Sequence, residues 1–194
     1  AFRIFDADMK ASDLSYGDLK TQSELLSKGL ISKGIKSGDR IATLMGKSSE
    51  YIVTLMAIWR IGAVHVPLFT AFSTPAIVLR LNGSNAKIVI CDETQQAKVK
   101  PSKEFILNQK IEVISTADAE RTPNWAVRWE SLLTSNTAQF RSPKLGPNAP
   151  IIHIFTSGTT GQPKGLIVPV KALACLHAYA EFAFDLKPTD IFWN

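Results

Sequence analysis

Helical stretches and short apolar, β-rich runs take turns along most of this chain. That alternation restricts the fold more than any other feature. Strands separated by helices pair in parallel, and helices must cover both faces of the sheet they form. Ser15 opens the first helix, with Asp18 three residues on in a capping-box-like arrangement. Leu19, Leu25, Leu26, Leu30 and Ile31 supply its apolar face, and Gly34 and Gly38 end it and turn the chain. Arg40 to Met45 reads as a buried strand. Ser48 or Ser49 caps a second helix whose Ile52, Leu55, Met56 and Trp59 fall on one face at helical spacing. Gly62 stops that helix, and Ala63 to Val66 reads as a strand. Thr74 caps a third helix, with Pro75 at its first position and Asn82-Gly83 at its close.

Lys87 to Cys91 continues the pattern as a strand, Asp92 to Phe105 as a helix and Ile111 to Ile114 as a strand. Between Ser115 and Asn148 the signals weaken around Pro123, Pro143, Gly146 and Pro147, with a short helix expected near Trp129 to Leu133. Ile151 to Phe155 and Leu166 to Val168 read as strands, and Lys171 to Phe184 as a helix. The expected fold class is α/β, a layered and mostly parallel sheet flanked by helices. No internal repeat, low-complexity tract or internal domain boundary interrupts it.

The 194 residues are 45% apolar, enough for one sizeable core, as one domain or part of a larger one. Ala1 opens the chain, and Ile191 to Asn194 reads like a strand entered but not finished. The chain is therefore expected to be a piece of a longer polypeptide. A net charge of +5 suits an anionic ligand. Its lysines and arginines are spread out, however, and the densest stretch, Lys98, Lys100 and Lys103, has no aromatic interleaving. A solvated face is expected there, and no nucleic acid. Cys91 and Cys175 sit in no metal-ligand or redox pattern, so both read as reduced packing residues of a cytoplasmic protein. Arg60, Gly62 and Pro67 break the apolar stretch from Tyr51 to Phe69, so no membrane span is expected.

The chemistry concentrates in Thr156-Ser157-Gly158-Thr159-Thr160-Gly161-Gln162-Pro163-Lys164-Gly165, directly after the apolar run Ile151 to Phe155. Its hydroxyls and backbone N–H groups can donate to phosphate oxygens. Gly158 and Gly161 let the backbone curl around an anion, and Lys164 adds a full positive charge. A triphosphate needs many donors, close backbone approach and compensating charge, and this segment offers all three. The segment is not the P-loop GxxxxGK[ST]. Pro163 precedes Lys164, Gly165 follows it, and the next residues read as a strand instead of a helix. GxGxxG is also absent, so a dinucleotide site has no support.

The segment resembles the TSGTTGxPKG signature of the adenylate-forming superfamily: acyl-CoA synthetases, luciferases and the adenylation domains of peptide synthetases. Leu14-Ser15-Tyr16-Gly17-Asp18-Leu19, Gly38-Asp39-Arg40-Ile41 and Ile61-Gly62-Ala63-Val64-His65-Val66-Pro67-Leu68 resemble three further elements of that family, in its order. Asp190-Ile191-Phe192-Trp193-Asn194 resembles the lead-in to the next motif of acetyl- and other short-chain acyl-CoA synthetases. Residues 1–194 are thus similar to the N-terminal part of an AMP-binding domain.

The resemblance implies an ATP-dependent acid:thiol ligase. A small carboxylic acid attacks the α-phosphorus of ATP, pyrophosphate leaves with Mg²⁺, and the acyl group passes to CoA. It implies that Thr156, Ser157, Gly158, Thr159, Thr160, Gly161 and Lys164 hold the β- and γ-phosphates, by positioning and charge. The family's adenine-pocket segment, ribose-binding Asp, hinge and late catalytic Lys lie beyond these residues. The resemblance therefore places no catalytic residue and no metal ligand here, and the fragment alone is expected to be inactive. A carrier-protein acceptor, as in peptide synthetases, and a non-catalytic phosphate- or partner-binding role are the alternatives. The chain departs from many relatives at Val168-Pro169-Val170-Lys171, where they carry a His shortly after the loop. A homodimer through exposed sheet edges is one partner this reading allows.

His65 and His153 sit in apolar runs and read as core or strand-end residues, and His177 as a helix-surface residue. Trp59, Trp125, Trp129 and Trp193 read as core or interface anchors.

Overall fold

The computed structural model describes residues 1–5, 8–133, 140–156 and 163–192. An N-terminal hairpin, β1 (Phe2–Phe5) and β2 (Ala11–Leu14), stands apart as a two-stranded antiparallel ribbon that no sequence signal announced. The main sheet contains β3 (Arg40–Leu44), β4 (Val64–Pro67), β5 (Ile88–Cys91), β6 (Glu112–Ser115), β7 (Val127–Arg128), β8 (Pro150–Thr156) and β9 (Lys164–Pro169). Its spatial order is β7-β6-β5-β3-β4-β8-β9. Every neighbouring pair is parallel except β8 and β9, which form an antiparallel hairpin. The mostly parallel sheet expected from the sequence is therefore present.

Period-two alternation along the strands builds two cores, one on each face. Ile41, Ile88, Ile90 and Ile114 pack with Leu26 and Leu30 of α1 (Tyr16–Ser32) and Val53 and Ile58 of α2 (Ser49–Arg60). Ala42, Leu44, Val66, Val89 and Cys91 pack with Ile77 and Leu81 of α3 (Thr74–Ser84). Each fully buried Leu or Ile contributes on the order of 1.5–3 kcal/mol. α1 begins as expected. Ser15 Oγ accepts from the Asp18 N–H at 3.0 Å and donates to the Asp18 carboxylate at 2.5 Å. The helix ends before Gly34, whose φ of 84° suits the reversal.

Several details differ from expectation. The buried stripe of α2 is Val53, Thr54, Ala57 and Ile58, while Ile52, Met56 and Trp59 pack at its margin. α2 has two apolar stripes, and only docking against both the sheet and α1 selects the deeper one. The α1 side of that contact is built from Ser23 and Ser27. Ser27 Oγ donates to the Ser23 carbonyl at 2.7 Å and lies 3.2 Å from the Ala57 carbonyl of α2.

Thr74 is the first helical residue of α3, not its cap. Ser73 takes the N-cap position without a side-chain bond, and Thr74 Oγ1 instead donates to the Lys98 carbonyl at 3.2 Å. α3 runs through Asn82-Gly83 and ends at Asn85, whose φ is 52°. The expected Asp92–Phe105 helix shrinks to a 3-10 turn, Glu93–Gln95, and α4 (Gln96–Val99). Pro101 drives Lys100 into an extended conformation (ψ 133°), which stops the helix.

The short helix near Trp129 is a 3-10 turn, Trp129–Leu133, and the two-residue β7 before it was not foreseen. Ile191 and Phe192 are not in a strand, and Trp193 and Asn194 lie outside the described residues. α5 (Ala172–Phe182) holds no buried residue, so Cys175 is exposed instead of packed, and His177 faces solvent as expected. Among the described residues no helix is long and apolar enough to cross a membrane.

Candidate phosphate-binding hairpin

Ile151, Ile152, Ile154 and Phe155 make β8 a strand by β-propensity, and its neighbour β4 sets its depth through His65 opposite Ile152. Trp59 of α2 donates its indole N–H to the Ile151 carbonyl at 3.2 Å and ties the strand to the helix layer. Because β8 is parallel to β4, it ends at the same edge of the sheet as the carboxyl ends of β3, β4 and β5. That edge is where open α/β sheets take ligands. At this edge Asp92 Oδ2 accepts the Gly46 N–H at 2.7 Å and links the loops after β5 and β3. The sequence reading did not single Asp92 out, although an Asp directly after a strand and before a helical turn is a capping signal.

β8 delivers Thr156 to this edge, and β9 leaves from it with Lys164. The two residues are direct partners in the antiparallel register. Directly opposed side chains share one face of a hairpin, with Cβ atoms about 4.5–5.5 Å apart. Both residues are exposed. Neither side chain has a hydrogen-bond or ion-pair partner among the described residues. A hydroxyl and an ammonium group are thus presented side by side on one face of the hairpin. Ser157, Gly158, Thr159, Thr160 and Gly161, the other expected phosphate-binding residues, lie outside the described residues. β9 being a strand, the hairpin also lacks the strand-to-helix context of a P-loop.

The opposite face of the hairpin holds a contact the sequence did not reveal. His153 stacks on Phe155 with ring centroids 4.8 Å apart and planes at 20°. Gly165, opposite Phe155, covers this stack. A Cβ on Gly165 would lie 2.4 Å from His153 Nε2 and 3.4 Å from Phe155 Cε1. On the far side, a Cβ on Gly83 of α3 would lie 3.0 Å from Phe155 Cε1. Burial, and then the positive charge of Arg40, push the His153 pKa below its ordinary value. Its Nδ1 is buried without a hydrogen-bond partner. His153 and Phe155 two apart in a strand, with a glycine just after the lysine, were the available signal.

His65 behaves as the core histidine expected. It is 3% exposed, its Nε2 lies 2.7 Å from Thr43 Oγ1, and desolvation lowers its pKa to about 4. Cys91 is buried, and its thiol is pushed up to about 12 by burial and by Asp92, which leaves it inert. Trp129 is buried, while Trp59 and Trp125 pack at core margins.

The sequence profile of the family described as AMP-binding enzyme matches residues 3–194, almost the whole chain. The chain belongs to the AMP-binding enzyme family. This AMP-binding chain is 30% identical to an acetyl-coenzyme A synthetase of Streptomyces avermitilis, over 93% of its own length and 30% of that relative. It is 31% identical to an acetyl-coenzyme A synthetase of Chlorobaculum tepidum, over 93% of the chain and 29% of the relative. The crystal structure of a Brucella canis acyl-CoA synthetase superimposes with a TM-score of 0.88 at 30% identity. It covers 99% of this chain and 34% of that one. This AMP-binding chain thus spans about a third of each of these three relatives.

Proposed function

We propose that the chain is the phosphate-gripping N-terminal part of an ATP-dependent acid:thiol ligase. The observation that carries this reading is the exposed Thr156–Lys164 pair at the carboxyl edge of a mostly parallel sheet, bracketing a segment of hydroxyls and glycines in an AMP-binding enzyme.

ATP supplies the leaving group, and the chain's own residues bind and orient it. Thr156 donates a hydroxyl hydrogen bond and Lys164 a charge to the β- and γ-phosphates. The backbone N–H groups and hydroxyls of Ser157, Gly158, Thr159, Thr160 and Gly161 complete the set. A carboxylate oxygen of a small acid attacks the α-phosphorus, and the bond to the bridging oxygen breaks. Pyrophosphate departs with its charge already matched. The acyl group then moves from AMP to the thiol of CoA, whose proton goes to solvent. In this reading the chain takes no part in holding the Mg²⁺ that travels with the phosphates. The rest of the site belongs to the two-thirds of the relatives' length that this chain does not span. A cytoplasmic location, a single partial domain over residues 1–194 and inactivity of the piece alone complete the proposal.

The test is carboxylate-dependent exchange of labelled pyrophosphate into ATP by the full-length protein. Exchange with a short-chain acid supports acyl-adenylate formation, and CoA-dependent consumption of the adenylate supports the second step. Lack of exchange across a broad acid panel would sink the proposal.

A further inference from the structure

We propose that His153 is a positioning residue for the nucleotide site: its ring, packed with Phe155 over Gly165, holds β9 in the position from which it presents Lys164 beside Thr156. The inference rests on the phosphate-binding reading of the hairpin and names the part that holds it in shape.

Four layers are in contact. Gly83 of α3 lies against Phe155, Phe155 stacks on His153, and Gly165 of β9 closes over both rings. The two glycines are the outer leaves, and at each the missing Cβ is the space the aromatic pair occupies. On the α3 side a Cβ at Gly83 would lie 3.0 Å from Phe155 Cε1, so the ring has little room toward that helix. On the β9 side a Cβ at Gly165 would lie 2.4 Å from His153 Nε2, so a side chain added there must displace the ring or the strand. The backbone ladder sets the spacing of the two strands, and the rings that cover Gly165 limit how far that part of β9 can shift toward their face of the sheet. Lys164 is one peptide bond from Gly165, and Thr156 one from Phe155, so the stack acts on the residues that present the ammonium and the hydroxyl. The rings occupy one face of the hairpin, and the anion-facing pair the other. His153 thus acts through the backbone, without touching the nucleotide.

The experiment is a double-mutant cycle in the full-length protein, comparing H153A, G165A and H153A/G165A. The KM for ATP and the KM for the carboxylate are both read in pyrophosphate exchange. G165A should raise the KM for ATP roughly tenfold while the carboxylate KM moves less than about twofold, because overpacking displaces β9 locally. In the H153A/G165A variant the alanine methyl has room, and most of the increase should be recovered, a non-additivity expected only of contacting residues. H153A alone should raise the KM for ATP roughly threefold by loosening the stack. That single variant is decisive if G165A fails to fold. Strict additivity of the two substitutions, an unchanged KM for ATP in H153A, or equal rises in both KM values would overturn the inference. A wild-type protein that exchanges no pyrophosphate at all would instead remove the functional reading on which it rests.

Discussion

Thr156 and Lys164 face each other as the last and first residues of two antiparallel strands, with side chains on one face and no partner among the described residues. Nothing in the described fold depends on the Lys164 ammonium. Lys164→Ala should therefore leave stability within about 0.5 kcal/mol of wild type. Loss of one charged hydrogen bond to phosphate should cost about 1.5–3 kcal/mol of ATP binding. Paired melting curves and ATP titrations of the full-length protein check both halves. A large fall in melting temperature would show that Lys164 packs instead of binding.

Trp129 gives a purely structural test. Its indole N–H donates to Thr54 Oγ1 at 2.9 Å inside the α1/α2 core, and both residues are buried. Thr54→Val keeps the shape and leaves the indole N–H unpaired, which should cost about 1–3 kcal/mol. The midpoint of denaturant unfolding should fall with the slope unchanged. An unshifted midpoint would mean that the indole finds another acceptor.

Acid should destabilise the fold through His65. Its folded pKa, about 4, lies below the unfolded value near 6.5, so the unfolded chain takes up the proton first. The stabilisation is complete above about pH 6.5 and is lost as the pH falls through 4, a change on the order of 3 kcal/mol. His153 is shifted in the same direction and adds to the loss. His65→Gln, which cannot titrate but retains a hydrogen-bonding end for Thr43, should flatten unfolding free energy across that window. A profile as steep as wild type would assign the acid sensitivity elsewhere.

The two thiols should separate by reactivity. In the native 194-residue chain Cys175 is exposed on α5, whereas Cys91 is buried with its thiol pushed up to about 12. A thiol reagent at neutral pH should modify one cysteine quickly and the second only on unfolding. Two fast equivalents would contradict the burial of β5.

Element type and order were legible wherever a local signal sufficed. Ser15 with Asp18, Ser48, Gly34 and the β-branched runs act through their own neighbours, so the chain announces them. The hydroxyls and glycines between Thr156 and Lys164 stand out for the same reason: the donors of an anion-binding turn lie close together in sequence. The Asp92–Phe105 helix was drawn too long because Pro101 stops it at Val99. The cap of α3 misled because Thr74 found a better acceptor in Lys98, a residue 24 positions away.

By itself the sequence determined the α/β class, most strand positions and the two strands that flank the candidate phosphate-binding segment, because period, caps and turn chemistry are local. Only the tertiary structure decided which stripe of α2 meets the sheet, that Ser23 and Ser27 lie at the α1–α2 contact, and that His153 fills the space Gly165 leaves open. Those choices depend on which surfaces meet across dozens of residues, and close packing, not local propensity, selects among them.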